Sequence, residues 1–239
     1  MSENKATHLI AEIGNMHLGN FTKAKEMIKV AKDCGATLVK FQAFEPKDVA
    51  KHGSMPSSFY NDVAFSFEQY LILIEMGTYF NIPVFFSTFS ESMQRLWVET
   101  FFHKVSAKQA VDFEFNEFSD KSTTFVSVNE DYGDLPALSK SKVMFASKYL
   151  EENVDLFNIG KLSEIYQRQV GYSDHTKGIE TCYRAVREHN AGWVEKHFML
   201  EQDKNFSYTQ PNEKGGTLFR DSVHSATPDE FEKLAKLIL

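Results

Sequence analysis

Two hydrophobic patterns take turns along the chain. Short apolar runs, typical of buried strands, are separated by stretches with apolar residues three or four positions apart, typical of amphipathic helices. The pattern predicts strands at residues 8–13, 37–43, 83–88, 102–107, 123–128 and 142–147, and two more within 170–177 and 192–198. Strands that alternate with helices along the whole length indicate a parallel α/β fold.

Helices are predicted between these strands at residues 20–34, 66–80, 91–100, 155–166 and 178–190, with a weak one at 113–119. Gly35 follows the first helix in the C-terminal capping position, and Thr227-Pro-Asp-Glu begins the last helix with a cap and a first-turn proline. Residues 44–65 and 202–226 are predicted as long loops, and the connection 129–141 is too short for a full helix.

Eight strands, each followed by a connector, predict a closed (β/α)8 TIM barrel, with an open doubly wound sheet as the alternative. No linker, low-complexity tract or repeat interrupts the pattern, so we expect residues 1–239 to form a single domain. In such a barrel the functional groups lie where the strands end, at the C-terminal face. The two long loops follow the second and eighth strands and are expected to cover that face.

Composition narrows the class of protein. The formal net charge is −7 and the basic residues are scattered, which argues against nucleic acid as a partner. No apolar run is long enough to cross a bilayer and the first residues do not form a signal peptide, so no membrane association is expected. The two cysteines, Cys34 and Cys182, fall in predicted helices and suit a reduced compartment. We therefore expect a cytoplasmic protein.

Each of the last two predicted strands ends in a histidine, His175 and His197. A helix joins these strands, and a strand–helix–strand unit places its two strands side by side and parallel. Both imidazoles should therefore lie at the same edge of the sheet, where they can share one divalent metal ion. Two core histidines bonded to the backbone are the alternative. Their matching positions in consecutive strand units favour the metal site.

Charged and polar residues also crowd the C-terminal ends of the other strands. Burying ionisable groups is unfavourable unless they pair or bind something, and an ion pair between Glu12 and Lys40 alone would be purely structural. Nearly every strand contributes, however: the set comprises Glu12, Lys40, Gln42, Thr88, Lys104, Ser147, Tyr149, Ser173 and Glu195. Two lysines, several hydroxyls and a metal indicate a small phosphorylated or carboxylated substrate, with Glu12 as a general base or a lysine partner.

Motifs spread from the first strand to the last helix resemble the sialic acid synthase (N-acetylneuraminate synthase) family. They are Ala11-Glu-Ile-Gly-Asn-Met-His-Leu-Gly19, Val39-Lys-Phe-Gln42, Phe86-Ser-Thr-Phe89, Gly171-Tyr-Ser-Asp-His-Thr176, Val194-Glu-Lys-His-Phe198, and Asp221 with Ser225-Ala-Thr-Pro228. In this order and spacing the motifs are highly specific. The resemblance implies a (β/α)8 barrel that condenses phosphoenolpyruvate with an N-acylated aminosugar aldehyde, giving a nonulosonic acid and phosphate.

The resemblance also implies roles for individual residues. His175 and His197 match the two protein ligands of a divalent ion, usually Mn²⁺, with Mg²⁺ or Co²⁺ as options, which activates the sugar carbonyl. Glu12 matches the first-strand carboxylate of the active site, and Asp221 matches an aspartate that contacts the sugar. The residues that match those holding phosphoenolpyruvate are Lys40, Thr88, Lys104, Tyr149 and Ser173. Glu12, Lys40, Lys104 and Asp221 are the expected catalytic groups.

Several positions depart from the family pattern. After the fourth strand, the family's phosphate-gripping serine falls on Ala107, and the acidic residue that handles the attacking water falls on Gln109. Further departures are Met16, Ser147 and the run Ser127-Val-Asn129. The sequence stops at Leu239, so we also expect the family's C-terminal antifreeze-like domain to be lacking. In the family, that domain donates a substrate-binding arginine across a dimer. The identity of the sugar and the formation of a homodimer are therefore left open by the sequence.

Three functions fit these residues. The first is a divergent synthase, which the intact Glu12, Lys40, His175, His197 and Asp221 favour. The second is a descendant that has lost turnover and acts as a metal- and ligand-binding or regulatory barrel, which the changes after the fourth strand favour. The third is another metal-dependent barrel chemistry, such as sugar isomerisation, which needs more carboxylate ligands than the sequence places. Functional sites, rather than the fold, must decide between them.

Overall fold

Eight parallel strands close into a barrel in the order in which they occur along the chain. They are β1 (His8–Gly14), β2 (Leu38–Ala43), β3 (Val84–Thr88), β4 (His103–Val105), β5 (Thr124–Val128), β6 (Lys142–Ala146), β7 (Gly171–Asp174) and β8 (Trp193–His197). The computed structural model describes residues 4–50, 55–110, 123–129, 141–204, 206–208 and 217–239. Because β8 pairs with β1, the predicted (β/α)8 barrel is confirmed and the open sheet is wrong.

Helices surround the barrel, and α1 ends and α10 begins next to the predicted caps, Gly35 and Thr227. They are α1 (Phe21–Asp33), α2 (Pro46–Val49), α3 (Ser57–Val63), α4 (Phe67–Phe80), α5 (Leu96–Glu99), α6 (Ala107–Ala110), α7 (Phe157–Tyr166), α8 (Glu180–Arg187), α9 (Arg220–His224) and α10 (Pro228–Ile238). Capping boxes begin α4 at Ser66 and α10 at Thr227. Gly35, with φ of +92°, follows α1 as predicted.

The two predicted long loops contain more structure than the sequence pattern indicates. Residues 44–65 form the short helices α2 and α3, and residues 202–226 contain the two-stranded pair β9 (Ser207–Tyr208) and β10 (Thr217–Leu218) and the helix α9. The predicted helix 91–100 is a 3₁₀ turn, Glu91–Arg95, followed by α5. Elements this short have too few turns to show a hydrophobic period. The helix predicted at 113–119 lies outside the described residues, as does most of 129–141.

The barrel interior is built in two layers, because every second residue of a strand faces inward. Apolar side chains fill the lower layer: Ile10, Leu38, Phe85, Phe125, Met144 and Trp193. Two positions further along five of these strands come Glu12, Lys40, Ser87, Ser127 and Glu195, which line a cavity above the apolar layer. The intervening residues of each strand face outward and pack against the helices. The chain thus closes the bottom of the barrel and leaves the C-terminal face open for polar groups.

Within the described ranges, no helix is long and apolar enough to cross a membrane.

Candidate active site

A cavity of about 410 Å³ opens at the C-terminal ends of the strands. Of the nine residues expected to act in catalysis, substrate binding or metal binding, it brings together seven: Glu12, Lys40, Lys104, Tyr149, Ser173, His175 and His197. Two others lie apart from its lining. The hydroxyl of Thr88 is buried and makes no hydrogen bond to a described residue, and Asp221 lies beside His197. Predictions drawn from scattered motifs therefore converge on one face of the barrel.

Four buried charged side chains form a continuous network on the floor of this cavity. Lys40 Nζ lies 2.6 Å from Glu12 Oε2 and 3.1 Å from Glu195 Oε2. Lys104 Nζ lies 2.9 Å from Glu195 Oε1, which also accepts a 2.9 Å hydrogen bond from Ser173 Oγ. Each charged side chain is at most 5% exposed. Glu12 is thus both a lysine partner and a cavity residue, and Glu195 is a central member that the sequence indicated only by its position.

The strand register explains why these groups meet. Glu12 of β1 is directly opposite Lys40 of β2, and Ser173 of β7 is directly opposite Glu195 of β8. Directly paired residues on parallel strands point to the same side of the sheet, so one inward-facing position on each strand is enough to build the network. The network is therefore a direct consequence of barrel closure between β8 and β1.

Burial and neighbouring charges shift the pKa values of this network in opposite directions. Burial lowers the pKa of Lys40 to about 7, in spite of the opposing effect of Glu195. Burial alone would raise the pKa of Glu195, but Lys104 and Lys40 outweigh it and hold that pKa well below its usual range. Glu195 is therefore ionised, and Lys40 changes its charge near neutral pH.

A cluster of three histidines lies at the edge of the cavity. The rings of His175 and His197 are 5.6 Å apart between centroids, as the parallel pairing of β7 and β8 predicts. His224 of α9, which the sequence reasoning missed, lies 4.4 Å from the His197 ring and 5.7 Å from the His175 ring. The only sequence signal for His224 was its proximity to the Asp221 motif, within a region predicted to be a loop.

His197, Asp221 and His224 could hold a metal ion, because their ligand atoms all lie within 4.8 Å of one another. Burial lowers the pKa of His197 well below its usual value, which leaves a neutral imidazole with a lone pair. Its Nδ1 is buried and makes no hydrogen bond within the described part of the chain. These residues therefore fit a divalent ion.

His175 lies outside that close group but is oriented as a ligand would be. Its Nδ1 is 3.1 Å from the carbonyl oxygen of Ser147, which leaves Nε2 available when Nδ1 carries the proton. Ser147 Oγ also accepts a hydrogen bond from the backbone N–H of His175. The residue at the family's asparagine position thus supports the histidine.

A second ion pair lies behind the histidines, on the outer side of the sheet. Lys196 Nζ lies 2.5 Å from Asp174 Oδ2, and both side chains are 0% exposed. Asp174 Oδ1 accepts hydrogen bonds from Tyr172 and Thr176, and Lys196 donates to the Thr176 carbonyl. Because Asp174 precedes His175 and Lys196 precedes His197, this pair fixes the two strand ends that carry the imidazoles.

Gln109, at the position where the family has an acidic residue, does not line the cavity. Its Nε2 donates to the Thr88 carbonyl at 3.0 Å, and its Oε1 accepts from the Ser106 hydroxyl at 2.9 Å. The side chain therefore joins α6 to the end of β3. Ala107 does line the cavity, so the missing hydroxyl at that position is a change within the site.

The fold and the site together define a (β/α)8 barrel with an ion-paired cavity and a histidine–carboxylate cluster at its strand ends. The NeuB family model matches residues 146–238, which include β7, β8 and the cluster. The chain is 27% identical over 263 residues to an uncharacterised protein of Methanocaldococcus jannaschii, covering 100% of this chain and 72% of that protein. It is 24% identical over 238 residues to the N,N'-diacetyllegionaminic acid synthase of Campylobacter jejuni, covering 85% and 70%.

Among solved structures, the N-acetylneuraminic acid (sialic acid) synthetase of Leptospira borgpetersenii has a TM-score of 0.75 at 24% identity, covering 98% of this chain and 83% of that one. At this identity the structural likeness shows the fold. Together with the family model and the sequence relatives, it confirms the resemblance seen in the motifs. The chain is thus similar to sialic acid synthases of the NeuB family: the family model matches residues 146–238, and the synthase of Campylobacter jejuni is 24% identical.

Proposed function

We propose that this chain condenses phosphoenolpyruvate with an N-acylated aminosugar aldehyde to give a nonulosonic acid and phosphate. In this reaction the methylene carbon of phosphoenolpyruvate bonds to the aldehyde carbon, water adds to the enol carbon, and phosphate leaves. Relatives named as synthases of legionaminic and sialic acids support this reaction class. The observation that carries the proposal is the Glu12–Lys40–Glu195–Lys104 network beside a histidine–carboxylate cluster in one cavity.

The lysines are proposed to bind the anionic donor. Lys40 and Lys104 present ammonium groups to the cavity while Glu195 lies between them, so a bound phosphate or carboxylate must share them with that carboxylate. Tyr149 and Ser173 line the same cavity; Tyr149 carries a hydroxyl donor, whereas the Ser173 hydroxyl donates to Glu195 and reaches an anion only by leaving that carboxylate. Thr88 offers a buried hydroxyl without a partner among described residues, close to the lining.

Glu12 is proposed as the group that accepts a proton. Its Oε2 is paired with Lys40, whereas its Oε1 is buried without a hydrogen-bond partner among the residues described. A buried carboxylate oxygen of a cavity-lining residue that makes no hydrogen bond among the described residues can accept a proton from water or a sugar hydroxyl. Asp221 is proposed to orient the sugar or to join the metal ligands, since it lies beside both histidines of the close group.

A divalent ion, proposed to be Mn²⁺, would be held by His197 with Asp221 and His224, or by the His175–His197 pair of the family pattern. When bound, it would polarise the aldehyde carbonyl. The buried unpartnered Nδ1 of His197 and its low pKa suit this role.

A binding barrel without turnover is the second candidate, and Gln109 is the observation that favours it. Gln109 occupies the position of the family's acidic residue, and a carboxamide cannot act as a base. Its hydrogen bonds to Ser106 and the Thr88 carbonyl also hold the side chain away from the cavity lining. A positioned general base is worth roughly 10²–10⁴-fold in rate. We therefore expect a slow synthase if the first proposal is correct.

The test is phosphate release from phosphoenolpyruvate with a panel of N-acylated hexosamines and Mn²⁺. The synthase is supported if phosphate release requires both a sugar and the metal. Lys104→Met should abolish this release, and Lys29→Met should not. Lys29 is an exposed lysine paired with Asp33, so its variant is a matched control. No release in wild type, with phosphoenolpyruvate and metal both bound by calorimetry, overturns the synthase for those sugars and leaves the binding role.

A further inference from the structure

Exposed hydrophobic side chains gather on one side of the barrel, around α4 and α5. Within the described ranges seven large hydrophobic side chains are exposed, and four of them belong to α4, to α5 and to the turn that follows α5: Ile72, Tyr79, Val98 and Phe101. Tyr79 is 79% exposed and Phe101 is 72% exposed. We call these four residues the α4–α5 patch. Single exposed hydrophobic residues are ordinary, whereas a group of them marks a contact surface.

A groove of about 330 Å³ lies within this patch, between the C-terminal end of α4 and the turn from α5 into β4. Its floor includes Ile82 and Val84, which are buried. Thr78 and Thr100 also line the groove, but their hydroxyls already donate to backbone carbonyls of the preceding helical turn. Phe101 lines it too, although most of this ring lies outside. Because an apolar cavity of about 150 Å³ already holds benzene, the groove can take an aromatic side chain.

Acidic residues on the patch argue against a lipid surface as its partner. Glu75 is exposed on the same face of α4 as Ile72 and Tyr79, three and four positions away, and Glu99 is exposed beside Val98. Lipid surfaces in cells carry negative charge and attract lysine and arginine. Such a surface would be repelled here, whereas a protein partner can leave the acidic side chains in a solvated rim.

The patch is complementary to itself, because the groove and an aromatic side chain that fits it lie side by side. In a two-fold contact both copies use the same surface, so Phe101 of each copy can enter the groove of the other. At about 200 Å² per aromatic side chain, Tyr79 and Phe101 expose about 600 Å² in two copies. Specific interfaces bury about 1,200–2,000 Å², of which little more than half is non-polar. The two aromatic residues therefore supply more than half of the non-polar area that such an interface needs.

We propose that two copies of this chain associate through the α4–α5 patch, with Phe101 of each copy inserted into the groove of the other. The groove lies at the N-terminal ends of β3 and β4, which begin at Val84 and His103. The contact therefore leaves both cavities at the C-terminal face open. It uses no residue of the candidate active site, so it is independent of the proposed function.

The first test is sedimentation velocity between about 1 µM and about 100 µM protein, which spans the affinity expected of a small interface. Wild type should pass from monomer to dimer, and Phe101→Asp should raise the dissociation constant by about tenfold or more, because it removes a central aromatic anchor. Phe157→Asp is the matched control, since Phe157 of α7 is 71% exposed and lies outside the patch. Equal melting temperatures at the lowest concentration establish that the folds are intact.

A second variant tests the insertion itself. Thr78→Arg places a long side chain in the groove while leaving Phe101 unchanged, so this variant should also dimerise poorly. Mixed with Phe101→Asp, it should form a heterodimer more tightly than either variant alone, because one intact aromatic residue then meets one open groove. A mixture no tighter than its components would overturn the insertion.

Three results would overturn the dimer at this patch. Wild type that stays monomeric at about 100 µM would leave the patch to a different protein or to none. Dimers of unchanged affinity in Phe101→Asp would place the interface elsewhere. Dissociation by Phe157→Asp alone would assign it to α7.

Discussion

The charge of Lys40 depends on its buried position in the barrel. Burial lowers its pKa to about 7 although Glu12 and Glu195 both contact its ammonium group. Below this pH the side chain is charged in the free protein, and above it the neutral form prevails. An anion that binds Lys40 favours the charged form, so binding above neutrality must draw a proton from solution.

This linkage gives the first prediction. At pH 8, phosphoenolpyruvate binding should be accompanied by proton uptake, and its affinity should fall as pH rises further; at pH 6 the uptake attributable to Lys40 should vanish. Calorimetry in two buffers of different ionisation enthalpy measures the uptake directly. Lys40→Met should bind more weakly, by about 1.5–3 kcal/mol for a lost charged hydrogen bond, and should lack this uptake at pH 8. Equal binding and uptake in the variant would show that Lys40 only pairs with Glu12.

The second prediction concerns which residues bind the divalent ion. If His197, Asp221 and His224 form the site, His224→Phe should weaken divalent-ion binding by at least about 10–100-fold, as the loss of even a supporting residue does. His197→Ala should abolish tight binding under either ligand set. A Co²⁺ absorption spectrum and calorimetry read the site without turnover, and His189→Ala, which removes a histidine packed on Phe157, is the control.

His175 discriminates between the two ligand sets. A larger loss from His175→Ala than from His224→Phe would assign the ion to the pair predicted from the sequence. His175 and His197 could be predicted because consecutive strands place equivalent positions side by side. His224 could not, because it lies in a short helix within a region without a hydrophobic period, and only the fold brings α9 over the end of β8.

At the level of elements, the ends of β7 and β8 are held by the Asp174–Lys196 pair. Burial alone would raise the pKa of Asp174, but Lys196 and the hydrogen bonds from Tyr172 and Thr176 lower it. A carboxyl whose pKa is lower in the folded state stabilises the fold above its unfolded pKa, and that contribution is lost as pH falls through the folded value. The pair should therefore weaken only in strong acid.

Removing one partner leaves the other charge buried, which is the third prediction. Asp174→Asn should lower the free energy of unfolding by about 3–5 kcal/mol, because Lys196 is 0% exposed and contacts no other carboxylate within the described part of the chain. Asp174→Asn/Lys196→Met should recover part of this loss. Urea unfolding of the three proteins measures both effects. A loss below about 1 kcal/mol in the single variant would mean that water reaches Lys196.

The turn from β4 into α6 gives the fourth prediction. In Gln109→Glu a carboxylate would face the Thr88 carbonyl, which can accept but not donate a hydrogen bond. We expect this variant to lose about 1–3 kcal/mol of stability rather than to gain activity. Ala107→Ser instead adds a hydroxyl inside the cavity and is the better way to raise phosphate release. Faster release by Gln109→Glu at unchanged stability would contradict this view of Gln109.

Helices with a clear hydrophobic period or a capping residue could be predicted from the sequence. Helices that lack both could not. The caps predicted at Gly35 and Thr227 mark helix boundaries by local chemistry, and both agree with the structure. The helices α2, α3 and α9 have four to seven residues each and are too short to show a hydrophobic period. The position of the Gln109 side chain likewise depends on the neighbouring strand end rather than on its own sequence context.

Over the whole molecule, the two interior layers of the barrel have different roles: the apolar layer stabilises the fold, and the polar layer forms the candidate active site. The lower layer of aliphatic and aromatic side chains closes the barrel, and the layer above it holds buried charges that pair with one another. The short apolar runs between helical patterns were visible in the sequence, as were the polar residues at their ends, so the fold and the polar face could be predicted. The distances between charges did not, because they are set by the shear with which the strands close.

The fifth prediction uses the stability of the whole barrel to detect its ion. A ligand that binds only the folded state stabilises it by about 2.7 kcal/mol at a hundred times Kd, which for a chain of this length raises the melting temperature by about 5–10 °C. Mn²⁺, Co²⁺ and Zn²⁺ should each raise it in wild type, and Mg²⁺ least, because imidazole ligands favour the later transition metals. His197→Ala should melt at the same temperature with and without each ion, since it removes the histidine common to both ligand sets. His189→Ala should respond like wild type. If no ion shifts wild type, or if His197→Ala shifts as much as wild type, the histidine cluster is a packed part of the core and metal chemistry has no place in this cavity.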